Sequence, residues 1–178
     1  MLANPRNSRV VLINPSRNGL GELPAEAVAR RGDSLALLPA AHEIFNVAVQ
    51  IIGEYKPGLL PEELHEVAAI LNVDALSLWS DQRFRSSLAV SDVGVIFLGG
   101  AWLDEEVLIA ALEAIKLGYD VRLLADLSAA RIERDRRLVL DRLALHGVLT
   151  MTTRQAFLEW AACLDDPVVK RRVQLLLS

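Results

Sequence analysis

The sequence has few of the residues that disulfides, metal sites and nucleic-acid surfaces need. Cys163 is the one cysteine among 178 residues, which excludes a disulfide within the chain and any multi-cysteine metal site. His42, His65 and His146 lie far apart without metal-ligand spacing, and we expect neither a metal nor a cofactor. The net charge is −4, and no basic cluster is interleaved with aromatic residues. We therefore expect no nucleic-acid partner.

Long apolar runs are also missing. No run approaches the roughly 20 residues that span a bilayer, so we expect no membrane segment. The first residues, MLANPRNSR, lack the apolar core of a signal peptide, which predicts a cytoplasmic protein. Apolar residues make up 52% of the chain, which is enough for a substantial core. We expect a disordered lead-in over residues 1–8 and one domain over residues 9–178.

Short β-branched runs alternate with amphipathic segments along the chain. Strands are predicted at 9–14, 47–52, 74–79, 94–98, 120–125 and 148–151. Helices are predicted at 34–45, 61–71, 81–91, 105–117, 128–146 and 155–164. This alternation predicts an α/β fold with a parallel sheet and helices on both faces, a Rossmann-like three-layer sandwich. Ligands of such sheets bind beyond the carboxyl ends of the strands, near Asn14, residues 53–55, Trp79 and residues 99–106.

Several segments resemble one known family in an ordered set. They are 99–107 (GGAWLDEEV), 110–114 (AALEA), 118–121 (GYDV), Asp126 and 147–160 (GVLTMTTRQAFLEW). The chain resembles the isochorismatase-like cysteine hydrolases, which include isochorismatases and nicotinamidases, over about residues 9–167. The resemblance implies their fold and a homo-oligomer. It also implies a non-proline cis peptide bond, expected at Trp102–Leu103.

The resemblance places the family's catalytic triad on positions that have changed. The cysteine position falls on Glu106 and the aspartate position on Asn14, while no lysine lies between Lys56 and Lys116. A neutral amide is not a useful base, and a carboxylate opposes an oxyanion forming at the same helix end. We therefore expect a pseudoenzyme that has lost cysteine-hydrolase activity. It would act as a homo-oligomeric structural or interaction subunit, or bind a small ligand in the vestigial pocket.

Four residues are candidates to line that pocket: Trp79, Gly100, Trp102 and Leu103. For the two tryptophans, buried packing or a subunit contact explains the sequence equally well. Glu106 has two readings as well. It is a favourable first-turn acid with Asp104 as the helix cap, or it contacts a cationic or hydrogen-bond-donating ligand.

Two other functions stay open at this point. A hydrolase with a rebuilt mechanism would use Glu106 as acid, base or nucleophile on an amide or ester. A flavodoxin-like nucleotide binder is suggested by Gly19-Leu20-Gly21 after the first strand, although no third glycine and no lysine follow. The apolar segment 168–177, with Val168, Val169, Val173 and Leu176, is the predicted helix for contacts between subunits.

Overall fold

The computed structural model describes residues 1–178 and contains one sheet of six strands. The strands are β1 (Ser8–Ile13), β2 (Ala48–Ile52), β3 (Ala68–Leu71), β4 (Val95–Ala101), β5 (Asp120–Ala129) and β6 (Leu149–Met151). Their order across the sheet is β3-β2-β1-β4-β5-β6, and every neighbouring pair is parallel. The order reverses at β1, so the carboxyl ends of β1 and β4 form the switch point where such sheets bind ligands.

Seven helices cover the two faces of the sheet. They are α1 (Ala25–Phe45), α2 (Glu62–Val67), α3 (Gln82–Val90), α4 (Leu108–Lys116), α5 (Arg136–Leu145), α6 (Thr153–Leu164) and α7 (Pro167–Leu176). The core on one face combines sheet residues with α1, α2, α6 and α7, and the core on the other face combines them with α3, α4 and α5. The predicted three-layer α/β fold is therefore confirmed.

The alternation of side chains along β1 shows why the sheet needs two helical layers. Val10 and Leu12 belong to the core that contains α1 and α6, whereas Val11 and Ile13 belong to the core that contains α3 and α4. In β4 all seven residues are buried. Strands that are covered on both faces read as continuous apolar runs, as this central strand does.

The predicted helix over residues 61–71 is wrong in its second half. α2 ends at Val67, and Ala68–Leu71 form the edge strand β3, which pairs with β2 in the register Val49↔Ala68 to Ile52↔Leu71. The helical spacing of apolar residues could not reveal this, because the open backbone groups of β2 recruit the segment through long-range pairing. Tertiary context overrides local preference here.

Two other predicted elements also differ. Residues 74–79, predicted as a strand, form the 3-10 helix Ala75–Ser80, and the Asp74 side chain accepts a hydrogen bond from the N–H of Leu76 at 3.0 Å. Aspartate at such a position competes for the local backbone, which favours the turn. Residues 128–146, predicted as one helix, begin as the last residues of β5, and α5 starts at Arg136. Pairing of Ser128 with Gly100 extends the strand.

The N-terminus differs from the disordered lead-in expected for residues 1–8. Ala3 is 1% exposed, and its N–H donates to Glu159 Oε2 at 3.1 Å. The guanidinium of Arg122 donates to the carbonyl oxygen of Met1 at 2.9 Å. Side chains from β5 and α6 thus make hydrogen bonds with the backbone of this segment, whose composition alone did not predict an ordered structure. The single domain over residues 9–178 stays a prediction.

Candidate functional site

Asn14 joins the carboxyl ends of β1 and β2. Its backbone has a positive φ of 45°, and its N–H donates to Ile52 O at 2.8 Å. The residue is 2% exposed, and its Oδ1 accepts a hydrogen bond from the N–H of Glu54 at 2.8 Å. A Cβ on Gly53 would lie 2.1 Å from that oxygen. Asn14 therefore links two strand ends, and its oxygen is engaged by the backbone.

An irregular turn, Leu103–Val107, follows β4 and carries three consecutive acids. The N–H of Val107 donates to Trp102 O at 3.2 Å, five residues back, which is the pattern of a π turn. Trp102 occupies the N-cap position without a side-chain cap, so the interpretation of Asp104 as the helix cap is wrong. Asp104 instead accepts a hydrogen bond from the N–H of Arg131 at 2.9 Å, which ties the turn to the segment after β5.

The neighbouring acid binds the same segment. The carboxylate of Glu105 pairs with the guanidinium of Arg131, with Nε and Oε1 separated by 2.5 Å. This pairing raises the pKa of Arg131, chiefly through the hydrogen bond to Glu105. The guanidinium also lies 4.9 Å from the centre of the Trp102 ring, within range of a cation–π interaction. Arg131 thus stabilises the turn Leu103–Val107 through contacts with Glu105 and Trp102 on its exposed side.

Arg17 supplies a cation that the sequence analysis missed. It lies in the loop after β1, where its N–H donates to Asn14 O at 3.0 Å. Its Nη1 donates to Glu106 Oε1, and its Nε lies 3.2 Å from Glu54 Oε1. Asn14 and Glu106 therefore belong to one network through Arg17. No local pattern in residues 14–24 marks this arginine, because its partners come from distant segments of the chain.

Trp102 covers the space beside this network. Its ring atom Cζ2 would lie 3.2 Å from a Cβ on Gly19, and Trp102 packs with Leu20, Ala101 and Ala129 in a small buried cluster. Trp102 is 3% exposed. The non-proline cis peptide bond joins Ala101 to Trp102, one bond earlier than expected. The loop after β1 therefore lies against the aromatic ring instead of leaving it open to solvent.

The other pocket candidates have packing contacts. Trp79 is 8% exposed and donates from Nε1 to Ala110 O at 3.0 Å, within the core between the sheet and α4. Leu103 is fully buried in that same core. Gly100 lies so close to β1 that a Cβ would be 2.0 Å from Ile13 O. The structure brings Trp102 near the Asn14–Glu106 network and places Trp79 and Leu103 in the core instead.

Five polar atoms of the site are buried without a hydrogen-bond partner. They are Asn14 Nδ2, Ser16 Oγ, Arg17 Nε, Trp102 Nε1 and Glu106 Oε2. Buried polar groups are nearly always hydrogen-bonded, so this group of atoms is an unusual feature of the site. The chemistry available is limited, because Asn14 cannot take a proton and one oxygen of Glu106 is held by a guanidinium.

The fold is that of the isochorismatase-like cysteine hydrolases. A MAR1 ribonuclease from Caenorhabditis elegans superposes with a TM-score of 0.79 at 18% identity, covering 99% of this chain and 92% of that one. The YcaC gene product of Escherichia coli, described as an octameric hydrolase of unknown specificity, gives 0.70 at 19% identity over 97% and 89%. An isochorismatase family protein from Burkholderia thailandensis gives 0.68 at 16% identity over 93% and 98%.

These similarities are similarities of structure, and the sequence comparisons add no relative. No family model matches the sequence, and no curated protein matches it by sequence. Two negative findings describe the molecule itself. None of its helices is long and apolar enough to cross a membrane, and no three His, Cys, Asp or Glu side chains are grouped so that they could hold a metal ion.

Proposed function

We propose that this chain is a non-catalytic protein built on the isochorismatase-like hydrolase fold, acting as a homo-oligomeric structural or ligand-binding subunit. The ion pair between Arg17 and Glu106 carries the proposal. It occupies the position at which the resemblance would place a nucleophilic cysteine. A carboxylate that shares its charge with a guanidinium is a weak nucleophile, and it opposes an oxyanion at that end of the helix.

The remaining triad positions support the same conclusion. Asn14 binds the Glu54 N–H through the atom that would otherwise be a carboxylate oxygen. Arg17 brings a cation, but its guanidinium faces Glu106 and Glu54, so its charge is already offset. An arginine is effectively always protonated and does not relay protons as a lysine can. Residues that act as a unit in catalysis lose their effect together.

Self-association is the second part of the proposal. The YcaC gene product, which has the same fold, is described as octameric. In α7, Val173 is buried and Val169 packs against the core, so these two residues serve the chain's own fold. Val168 and Leu175 are 76% and 66% exposed and lie seven residues apart, on one side of the helix. This exposed pair is the proposed contact.

We also assign the protein to the cytoplasm in this proposal. Cys163 is a free cysteine, as is usual in a reducing compartment.

A rebuilt hydrolase is the alternative, and one observation favours it. Glu106 Oε2 is buried and unpartnered, so one oxygen of this carboxylate is free for acid–base or nucleophilic work. A panel of amides and esters, assayed with wild type and Glu106→Ala purified in the same way, separates the two functions. Equal background rates for both proteins support the non-catalytic reading. Turnover that disappears in the variant overturns it.

Light scattering coupled to size-exclusion chromatography tests the assembly. We expect an oligomer for wild type and a smaller particle for the double variant Val168→Asp/Leu175→Asp. The matched control is Leu117→Asp, which changes a leucine that is 52% exposed at the end of α4. A wild-type protein that is monomeric at all concentrations contradicts this part of the proposal and leaves the assay result unaffected.

A further inference from the structure

A second cleft, which we call the β5 cleft, lies at the carboxyl end of β5. The start of α1, with its N-cap residue Pro24 and with Ala27, forms one wall, and Ala125, Ser128 and Ala129 form the other. Its volume is about 610 Å³. Small-molecule sites occupy roughly 300–1,000 Å³, so the cleft has the size of a ligand site. Neither of the vestigial triad positions lines it.

Arg31 is the unusual side chain of this cleft. Its Nη2 donates to Pro15 O at 2.8 Å, its Nε is buried without a partner, and no carboxylate lies within 4.0 Å of it. Burial lowers the pKa of Arg31 to about 10. The guanidinium has therefore lost water without gaining a counterion, which is unfavourable unless an anion binds there.

The start of α1 favours an anion at the same wall. Pro24 occupies the N-cap position of this helix of 21 residues, and no side chain caps its free N–H groups. The positive end of the helix dipole thus faces the cleft next to Pro24 and Ala27. The helix dipole therefore adds to the attraction of the Arg31 guanidinium for an anion.

The other charges of the cleft limit the ligand to a single negative charge. Four arginines line it together with four acids: Arg30, Arg31, Arg131 and Arg136, and Glu22, Glu26, Asp126 and Glu133. Arg131 pairs with Glu105, and Arg136 donates to the backbone oxygens of Ser128 and Ala125. Because the charges balance, a polyanion meets repulsion from the acids, whereas one carboxylate at Arg31 does not.

We propose that the β5 cleft binds a small molecule with one carboxylate group. The carboxylate oxygens pair with the Arg31 guanidinium, and an apolar body lies on Leu23, Pro24 and Ala129. Arginine suits this role because its planar group binds carboxylates through two parallel hydrogen bonds. The proposal goes beyond the function given above, since binding here requires neither self-association nor the triad positions.

Isothermal titration with benzoate, phenylacetate and hexanoate, and with their neutral amides, tests the site. We expect saturable 1:1 binding of at least one carboxylate and at least roughly tenfold weaker binding of its amide, because the charged hydrogen bonds are lost. Inorganic phosphate should bind more weakly than that carboxylate. The proposal is overturned if none of the three carboxylates shows saturable binding. It is also overturned if the amide or inorganic phosphate binds with the same affinity as the carboxylate.

Four variants test whether Arg31 holds the carboxylate in this cleft. We expect Arg31→Met to weaken it at least roughly tenfold and Arg31→Lys to weaken it less. The control Arg85→Met, at an exposed position on α3 that does not line the cleft, should leave the affinity unchanged. Ala27→Trp fills the cleft without altering Arg31 and should abolish binding, which keeps the test valid if Arg31→Met folds poorly. Binding that persists in Ala27→Trp rules out this site.

Discussion

Arg17 donates a hydrogen bond to the carboxylate of Glu106, although the two residues lie 89 positions apart in the chain. Arg17 is anchored at the end of β1 through Asn14, and Glu106 is anchored in the turn after β4. The pair therefore fastens together the two strand ends that flank the switch point of the sheet. This charged contact lies at the position to which the resemblance assigns the nucleophile.

A double-mutant cycle measures the coupling free energy between Arg17 and Glu106. We expect Arg17→Met and Glu106→Leu each to lower the free energy of unfolding by about 1.5–3 kcal/mol, since each leaves a charged partner without its hydrogen bond. The double variant should lose less than the sum, by about 0.5–3 kcal/mol. Urea unfolding provides the values. The exposed pair Arg137–Asp141 is the control and should show coupling below about 0.5 kcal/mol, while additive costs at residues 17 and 106 contradict the prediction.

Gly53→Ala tests the link between Asn14 and β2. Both Gly53 and Gly58 have a positive φ, at 79° and 85°, so alanine costs about 1–2 kcal/mol at either position. At Gly58 nothing lies within 4 Å of the new Cβ, whereas at Gly53 the Cβ meets Asn14 Oδ1. We expect Gly53→Ala to be less stable than Gly58→Ala by a further 1–3 kcal/mol or so in urea unfolding. Equal losses would show that Asn14 moves aside freely.

The N-cap of α3 gives a pH prediction. Arg83 hydrogen-bonds to Asp81 and lowers the pKa of this carboxyl from 3.8 to about 2. A lowered pKa in the folded state means that the unfolded chain binds the proton more readily, so stability is present above pH 3.8 and is lost as the pH falls to about 2. We expect the difference in Tm between wild type and Asp81→Asn to shrink over this range. Arg83→Met should weaken the same dependence, and a constant difference refutes the prediction.

Glu159→Ala should loosen the N-terminus. Its carboxylate accepts hydrogen bonds from the N–H of Ala3 and from Arg122, which is 2% exposed. We expect a loss of about 1–3 kcal/mol in unfolding free energy, with faster hydrogen exchange at Ala3. Glu43→Ala removes an exposed ion pair with Arg172 and should cost less than about 1 kcal/mol. Unchanged exchange at Ala3 means that other contacts hold the segment.

The elements with strong local signals were predictable, and the exceptions have a common cause. The run Gly94–Leu98 indicated the central strand because both of its faces are buried, and β4 covers all but its first residue. Residues 68–71 looked helical by spacing, but β2 offered an unpaired edge, and the segment became β3. Local periodicity describes a segment alone and cannot show which edge will receive it.

The site divides in the same way. The positions Asn14 and Glu106 followed from the resemblance and from the rule that strand ends gather at one edge of the sheet. No sequence pattern indicated the role of Arg17, because an arginine in a loop is common and its partners lie in distant segments of the chain. Trp79 and Trp102 looked alike as pocket candidates, yet one packs in the core against Ala110 and the other lies under the loop after β1.

The amino-acid sequence alone determined the alternation of strands and helices. It also set Asn14 and Glu106 as the residues at the positions that the resemblance assigns to aspartate and cysteine. Hydrophobic periodicity and residue identity are local properties, and they can be read without coordinates. The tertiary structure alone decided that Glu106 meets Arg17, that Trp102 is covered, and that the guanidinium Nε of Arg31 is buried without a partner. Ion pairing and desolvation depend on distances between segments that are remote in the chain, and only the folded arrangement sets those distances.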